Sequence, residues 1–280
     1  MRTAVVTDST AYLPKEIQDK YDIHICPLNV IFGQESYQEE VELTADEFYR
    51  KIKEVDELPK TSQPAFGLIT ETFEKLSADY DAVISVHLSS GISGTYQSAM
   101  SAGEMVEDLD VHVFDSEVSC MIQGFYAIEA AKMATEGKHP EQIMARLQEM
   151  RTNMQAYFMA DDLSHLHRGG RLNGAQAFVG GLLQVKPVLH FEDKKIVPFE
   201  KIRTRKKALK RIYSLFSEDA EKKQPMKASV IHANREEEAR RIKEQIESEF
   251  PHVEVILSHF GPVIGTHLGE GAMGIGWYIE

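Results

Sequence analysis

Short apolar segments alternate with segments of helical periodicity in the first half of the chain, and this alternation limits the possible folds most strongly. Apolar runs at 4–6, 82–86 and 111–114 each end in polar residues and are followed by helical patterns. Strands separated by helices of this length are typical of a parallel sheet with helices on its faces. The sequence therefore predicts an N-terminal α/β domain over residues 1–155.

Two local signals refine this first domain. The apolar stretch 23–32 predicts one further strand, because it is rich in strand-forming residues. The run TADE at 44–47 has the pattern of a capping box and predicts the start of a helix.

The pattern changes near residue 150. A strand is predicted at 155–159, a hairpin at 186–200, and a basic helix at 204–217. We therefore expect a C-terminal α+β domain over 156–271. We expect the last apolar segment, at about 272–280, to return to the first domain as a strand.

Charge and composition exclude several classes of protein. A formal net charge of −13 argues against general nucleic-acid binding, which requires a basic face. The two cysteines are too few for a disulfide framework and suit a reducing compartment. No apolar run approaches the ~18 residues of a membrane span, which leaves transient membrane contact open. A strand pattern starts within the first residues, so no signal peptide is expected, and we expect a cytoplasmic protein.

Three polar segments with small residues are suited to holding an anion. They are TSQP at 61–64, SSGISGT at 89–95 and GTHLG at 265–269. Hydroxyl groups, an imidazole and the backbone N–H groups at a helix start can all donate hydrogen bonds to a carboxylate or phosphate. The segments contain neither a phosphate-cradling loop nor a set of metal ligands, so we expect a binding protein before an enzyme.

Taken in order, these and other motifs resemble the DegV family of bacterial proteins over nearly the whole chain. The other matching motifs are TDST at 7–10, DS at 115–116, RGGR at 168–171, KP at 186–187, RTR at 203–205 and GPVIGTH at 261–267. The resemblance implies a two-domain α/β fold that holds a long-chain fatty acid, such as palmitate, between the domains. It also implies that the chain, like some members, presents the acid to a partner fatty acid kinase without catalysis of its own. The residues themselves show no set of metal ligands, so we expect neither a metal nor a cofactor.

The resemblance also assigns roles to individual residues. It implies that Thr61, Ser93 and His267 bind the carboxylate and that Arg203 faces the partner kinase. Neighbouring residues expected to support the carboxylate site are Ser62, Gly94, Thr95 and Thr266.

These residue types fit the opposite demands of a fatty acid. Burial of the tail contributes roughly 0.8 kcal/mol per CH₂, on the order of 10 kcal/mol for a long chain before ordering costs. The carboxylate loses its hydration and needs hydrogen bonds in return, and a protonated His267 would also offset its charge. The alternative is that Thr61 and Ser93 only cap helices, which is common for these residue types.

The tail needs an apolar wall, and the segment 174–184 is the candidate. We expect Ala177, Phe178 and Leu182 to line a tunnel, with the neighbouring glycines allowing movement. The alternative is an ordinary core helix.

A serine hydrolase acting on lipid esters is the rival function. GISGT at 91–95 nearly matches the hydrolase nucleophile elbow. In that interpretation Ser93 is the nucleophile, His267 is the base, and Asp8 or Asp115 orients the base.

Overall fold

The structure is a computed structural model that describes residues 2–55, 57–173 and 185–280. Its strands are β1 Thr3–Asp8, β2 Ile23–Cys26, β3 Asn29–Phe32, β4 Glu35–Gln38, β5 Lys60–Ser62, β6 Ala82–His87, β7 Asp110–Asp115, β8 Gln155–Met159, β9 Val188–Glu192, β10 Lys195–Glu200, β11 Met226–His232, β12 Val253–His259 and β13 Met273–Ile279. A 3₁₀ helix covers Ser9–Ala11. The α-helices are α1 Lys15–Tyr21, α2 Ala45–Lys51, α3 Phe66–Ser77, α4 Thr95–Gly103, α5 Cys120–Thr135, α6 Pro140–Asn153, α7 Ser164–Arg168, α8 Arg205–Ala220, α9 Glu236–Glu249 and α10 Pro262–Leu268.

The first sheet joins β2, β1, β6 and β7 in that order, and its described strands are all parallel. Strands β1 and β6 are buried along their whole length, as expected for a parallel sheet covered on both faces. Ala4 and Val6 pack against Ile69 and Phe73 of α3 on one face, whereas Val5 packs in the cluster that contains α5 on the other. The predicted N-terminal α/β architecture is confirmed.

A small antiparallel sheet joins β4, β3 and β5. The prediction of a single strand over 23–32 is wrong, because the chain breaks at Pro27 and Leu28 and continues as β3 in this different sheet. Pro27 lacks the N–H group that a continuing ladder would need. In the small sheet Thr61 pairs with Val30, which fixes the position of Thr61 on β5.

The second sheet joins β10, β9, β8, β13, β11 and β12 in that order. Strand β13 lies between β8 and β11 and is antiparallel to both. The expectation that the last strand returns to the first sheet is therefore wrong. Gly274 and Gly276 explain the observed position, because a Cβ atom at either would lie within 3.0 Å of Phe158 or Ile122, so only glycines allow this close packing.

Helix α5 lies between the first sheet and β13. Most of its residues are buried, which is typical of a helix enclosed by protein on every side. Phe125 contacts the ring of Tyr278, with 5.4 Å between the ring centroids, and Ile122 lies against Gly276. Among the described residues, no helix combines the length and apolar character required to cross a bilayer.

Candidate functional site

A cavity of about 330 Å³ lies where the first sheet, the small sheet and the second sheet meet. Its size falls in the range of small-molecule sites, roughly 300–1,000 Å³. Most of its wall is apolar and comes from segments spread along the chain: Leu28, Leu88, Ile92, Ile122, Phe158, Leu166, Phe191, Ile196, Ile231, Phe260, Val263, Ile264, Leu268 and Ile275. The polar lining includes Thr61, Ser62, Gln63, Ser93, Gly94, Arg171 and His267.

Thr61 and His267 meet in this polar lining. The Oγ1 atom of Thr61 lies 2.8 Å from Nε2 of His267, although 206 residues separate them in the chain. Thr61 is held on β5, and His267 lies in the last turn of α10. Gly265 lets α10 pack closely against Tyr49, because a Cβ atom at 265 would lie 2.6 Å from the Tyr49 hydroxyl oxygen.

Ser93 reaches the same cavity from the loop that precedes α4. Its Oγ atom lies 2.9 Å from Oγ1 of Thr95 and also accepts a hydrogen bond from the backbone N–H of Thr95. Gln63 joins this loop to the TSQP segment, because its Nε2 group donates to Ser98 Oγ at 2.5 Å and its side chain lies against Gly94. The structure therefore brings Thr61, Ser93 and His267 to one cavity.

Arg171 is a charged cavity-lining residue that sequence reasoning missed. Its guanidinium group donates to the carbonyl oxygen of Ile92 at 3.3 Å and to that of Gly169, and it lines the cavity together with His267. The RGGR motif contains this arginine, but the motif gave no indication that the side chain turns toward the polar segments. Arg171 places a positive charge in the cavity wall.

The imidazole of His267 is neutral in this environment. Burial, followed by the charges of Arg171 and His165, lowers the pKa of His267 to about 4. The positive charge expected from a protonated His267 stays a prediction, because a bound carboxylate would itself raise the pKa of this imidazole. The guanidinium of Arg171 can supply that charge, and a neutral His267 can donate or accept one hydrogen bond at Nε2, depending on its tautomer.

The expected supporting residues take different positions. Ser62 and Gly94 line the cavity. The hydroxyl of Thr95 faces Ser93, and the buried hydroxyl of Thr266 donates to Pro262 of its own helix. Ala177, Phe178 and Leu182 lie outside the described residues. Arg203 is exposed in the turn between β10 and α8 and does not line the cavity.

The arrangement that a serine hydrolase would need is not formed among the described residues. His267 is hydrogen-bonded to Thr61, and the side-chain oxygen of Ser93 contacts Thr95. Asp8 accepts hydrogen bonds from His87 and from the backbone N–H of Leu88, and Asp115 is occupied by Ser90 and Lys194. Neither carboxylate orients His267.

A Ser–His–Asp chain does exist elsewhere. His87 lies 2.8 Å from Ser85 Oγ through Nε2 and 3.0 Å from Asp8 through Nδ1. These side chains are fully buried, so no substrate can reach the serine. These hydrogen bonds hold the end of β1 against β6, so their role is structural.

In the described part of the chain, one group of residues has the spacing of metal ligands. Asp110, His112 and Glu141 place their ligand atoms within 4.8 Å of one another. The two carboxylates are exposed, and the group does not line the cavity. It therefore contributes nothing to the chemistry of the candidate site.

Comparison with known proteins gives one consistent result. Residues 2–280 match the profile of a family described as an uncharacterised protein family, DegV. The chain is similar to protein DegV of Bacillus subtilis strain 168, with 59% identity over 278 residues that cover 99% of each chain.

Solved structures agree with this result. A crystal structure of DegV, a fatty acid binding protein from Bacillus subtilis, superposes with a TM-score of 0.96 at 58% identity and covers 100% of each chain. A fatty-acid-binding protein of the same family from Thermus thermophilus superposes with a TM-score of 0.91 at 31% identity, also over 100% of each chain. The described fold is therefore the fold of these proteins.

Proposed function

The chain belongs to the DegV family, and on this premise we propose that the cavity binds one long-chain fatty acid. The observation that carries the proposal is the composition of the cavity wall. Side chains that can donate hydrogen bonds to an anion, Thr61, Ser93, His267 and Arg171, share a cavity whose remaining wall is mostly apolar. Fatty acid binding in two similar structures supports the same ligand class.

The carboxylate is proposed to lie against Thr61, Ser93 and His267. It displaces the direct contact between Thr61 and His267, so that each can donate a hydrogen bond to a carboxylate oxygen. Arg171 supplies the positive charge that a desolvated carboxylate requires, because an unpaired buried charge is strongly unfavourable. Ser62 and the backbone at Gly94 complete the polar surroundings.

The acyl chain is proposed to extend along the apolar wall. Its contacts include Ile122 on α5 and Phe158 and Phe191 of the second sheet. Each CH₂ group removed from water contributes roughly 0.8 kcal/mol. The tunnel lining by Ala177, Phe178 and Leu182 remains part of the proposal.

We propose that the chain has no catalytic activity of its own and presents the bound acid to a partner kinase. Arg203 is the candidate contact with that partner, because it is exposed and separate from the cavity lining. The hydrolase function is not proposed, since no described carboxylate orients His267.

Native mass spectrometry tests the binding proposal. Purified protein is expected to carry one fatty acid, and Thr61→Val is expected to weaken rebinding by about tenfold, since it removes one hydrogen bond to a charged group. Thr152→Val on the exposed face of α6 is the matched control and should bind like the unmodified protein. Absence of a bound fatty acid together with failure to rebind one would refute the proposal.

A further inference from the structure

A second apolar space lies on the outer face of the second sheet. Helix α8 packs on β13, β8 and β9, whereas α9 packs on β11 and β12. A cleft of about 460 Å³ separates the two helices and reaches the sheet between them. Its floor consists of Ile212, Met273, Gly274 and Ile275.

The two helices line this cleft with side chains from one face of each. On α8 these are Lys206, Leu209, Lys210 and Tyr213, and on α9 they are Glu238, Arg241, Ile242 and Gln245. Both sets follow the spacing i, i+3, i+4 and i+7, which places side chains on the same side of a helix. The walls are therefore continuous along two turns.

Side-chain bridges between α8 and α9 close the cleft at both ends. Arg205 pairs with Glu238 at 2.7 Å, and the hydroxyl of Tyr213 donates to Glu249 at 2.7 Å. Residues 205 and 213 are eight positions apart, so the bridges are separated by about 12 Å along α8. This length accommodates a small molecule better than a helix of a partner protein.

The rim of the cleft is positively charged. Lys206 and Lys210 have no ion-pair partner among the residues that the structure describes, and Arg241 has only Glu237 at 3.8 Å on the exposed surface. Lys206 and Lys210 are four positions apart on α8, and like charges at this spacing on a helix repel each other. Glu238, the carboxylate in the lining, is already neutralised by Arg205. The cleft therefore combines an apolar floor with unsatisfied positive charge, on a chain whose net charge is −13.

We propose that this cleft is a second ligand site, which binds a small anionic amphiphile. The apolar part lies against Leu209 and Ile242, the partly buried apolar side chains of the cleft walls, and the acid group lies between Lys206, Lys210 and Arg241. The site is distinct from the interior cavity, because β13 lies between the two. Met273 and Ile275 pack in the cluster with α8 and α9, whereas Gly276 lies against Ile122 of α5.

Methyl NMR with decyl phosphate below its micelle concentration tests the proposal. Met273 is buried in the cleft floor and does not line the interior cavity. Its ¹³C-methyl resonance, assigned with Met273→Leu, should shift saturably with decyl phosphate. Decanol and inorganic phosphate should each bind at least tenfold more weakly than decyl phosphate. Decanol lacks the charged group, and inorganic phosphate lacks the alkyl chain. Equal binding of decanol would show that the charged rim has no role and would overturn the proposal.

Variants of the rim provide the matched control. The double variant Lys206→Gln/Lys210→Gln should weaken decyl phosphate binding at least tenfold, whereas Lys207→Gln, exposed on the same helix but outside the cleft lining, should not. In native mass spectra the double variant should carry the same amount of fatty acid as the unmodified protein. Loss of decyl phosphate binding can then be assigned to the cleft and not to the interior cavity. Undiminished decyl phosphate binding by the double variant would exclude the site.

An amphipathic Leu/Glu helical peptide tests the alternative occupant. A shift of the Met273 resonance by this peptide but not by decyl phosphate would reject the small-molecule site and identify a protein-docking surface.

Discussion

The carboxylate of Glu39 accepts a hydrogen bond from the backbone N–H of Val263 at 2.7 Å, across 224 residues of sequence. It also accepts hydrogen bonds from the hydroxyls of Ser9 and Tyr12. Val263 lies in the first turn of α10, the helix that carries His267. Glu39 is fully buried and therefore holds the helix of the candidate site against the first domain.

Glu39→Gln should change the pH dependence of stability. Burial raises the pKa of Glu39 to about 7, although the hydrogen bonds that its carboxylate accepts lower the pKa in part. Between pH 4.5 and 7 the folded protein keeps a proton that the unfolded chain loses, so this group makes stability fall as pH rises, by on the order of 3 kcal/mol. The free energy of unfolding of Glu39→Gln, measured with urea on lipid-free protein, should rise relative to the unmodified protein across this window. The exposed variant Glu54→Gln should show no such trend, and a trend shared by both variants would contradict the assignment.

His267→Gln should change the pH dependence of stability in the direction opposite to Glu39→Gln. The pKa of His267 is lowered to about 4 by burial and by the charges of Arg171 and His165. Between pH 4 and 6.5 the unfolded chain binds a proton that the folded protein excludes, so this group makes stability rise with pH. Relative to the unmodified protein, the unfolding free energy of lipid-free His267→Gln should fall as pH rises from 4 to 6.5. His167→Gln, at an exposed position on α7, is the control, and parallel curves for His267→Gln and the unmodified protein would disprove the burial effect.

Local features of the fold were predictable from the sequence because neighbouring residues determine them. Thr44 and Glu47 form the predicted capping box at the start of α2. Strands β1 and β6 end at Asp8 and His87, next to the polar turns that the pattern indicated. The contact between Thr61 and His267 is not local; only the family resemblance placed them in one site with Ser93, and their binding of a carboxylate stays a prediction.

Features that depend on long-range packing were not predictable. The sequence of β13 is apolar and fits either sheet, and the contacts of Gly274 and Gly276 with distant residues decide its place. The roles of Arg171 and Gln63 depend on which loops meet in three dimensions. The burial of Glu39 could not be anticipated either, because glutamate is rarely fully buried unless it is paired.

Gly91→Ala should destabilise the protein. A Cβ atom at this position would lie 2.2 Å from the carbonyl oxygen of Lys194, in the turn between β9 and β10. That oxygen also accepts a hydrogen bond from Ser89, so the backbone has little freedom to move away. We expect a loss of about 1–3 kcal/mol in urea unfolding. Gly67→Ala in α3 has open space around it and should be neutral or slightly stabilising; equal effects of the two substitutions would show that the contact is not tight.

Arg171→Gln should weaken fatty acid binding while the fold is retained. The substitution removes the positive charge in the cavity wall, and hydrogen bonds to charged groups contribute about 1.5–3 kcal/mol. The expected loss in affinity is therefore at least tenfold, measured by titration of lipid-free protein with a fluorescent fatty acid. Arg168→Gln, an exposed arginine three positions earlier, should bind normally. Unchanged affinity in Arg171→Gln would mean that another group balances the carboxylate.

Arg203→Ala should separate ligand binding from delivery. Arg203 is exposed and does not line the cavity, so the variant is expected to carry as much fatty acid as the unmodified protein in native mass spectra. If this residue contacts a partner kinase, formation of acyl phosphate by a bacterial fatty acid kinase and ATP should fall at least tenfold. Lys207→Ala, at an exposed lysine in the first turn of α8, serves as the matched control because it removes one positive charge nearby. Equal loss of fatty acid and of acyl phosphate in Arg203→Ala would place the defect in binding and would reject a separate role in presentation.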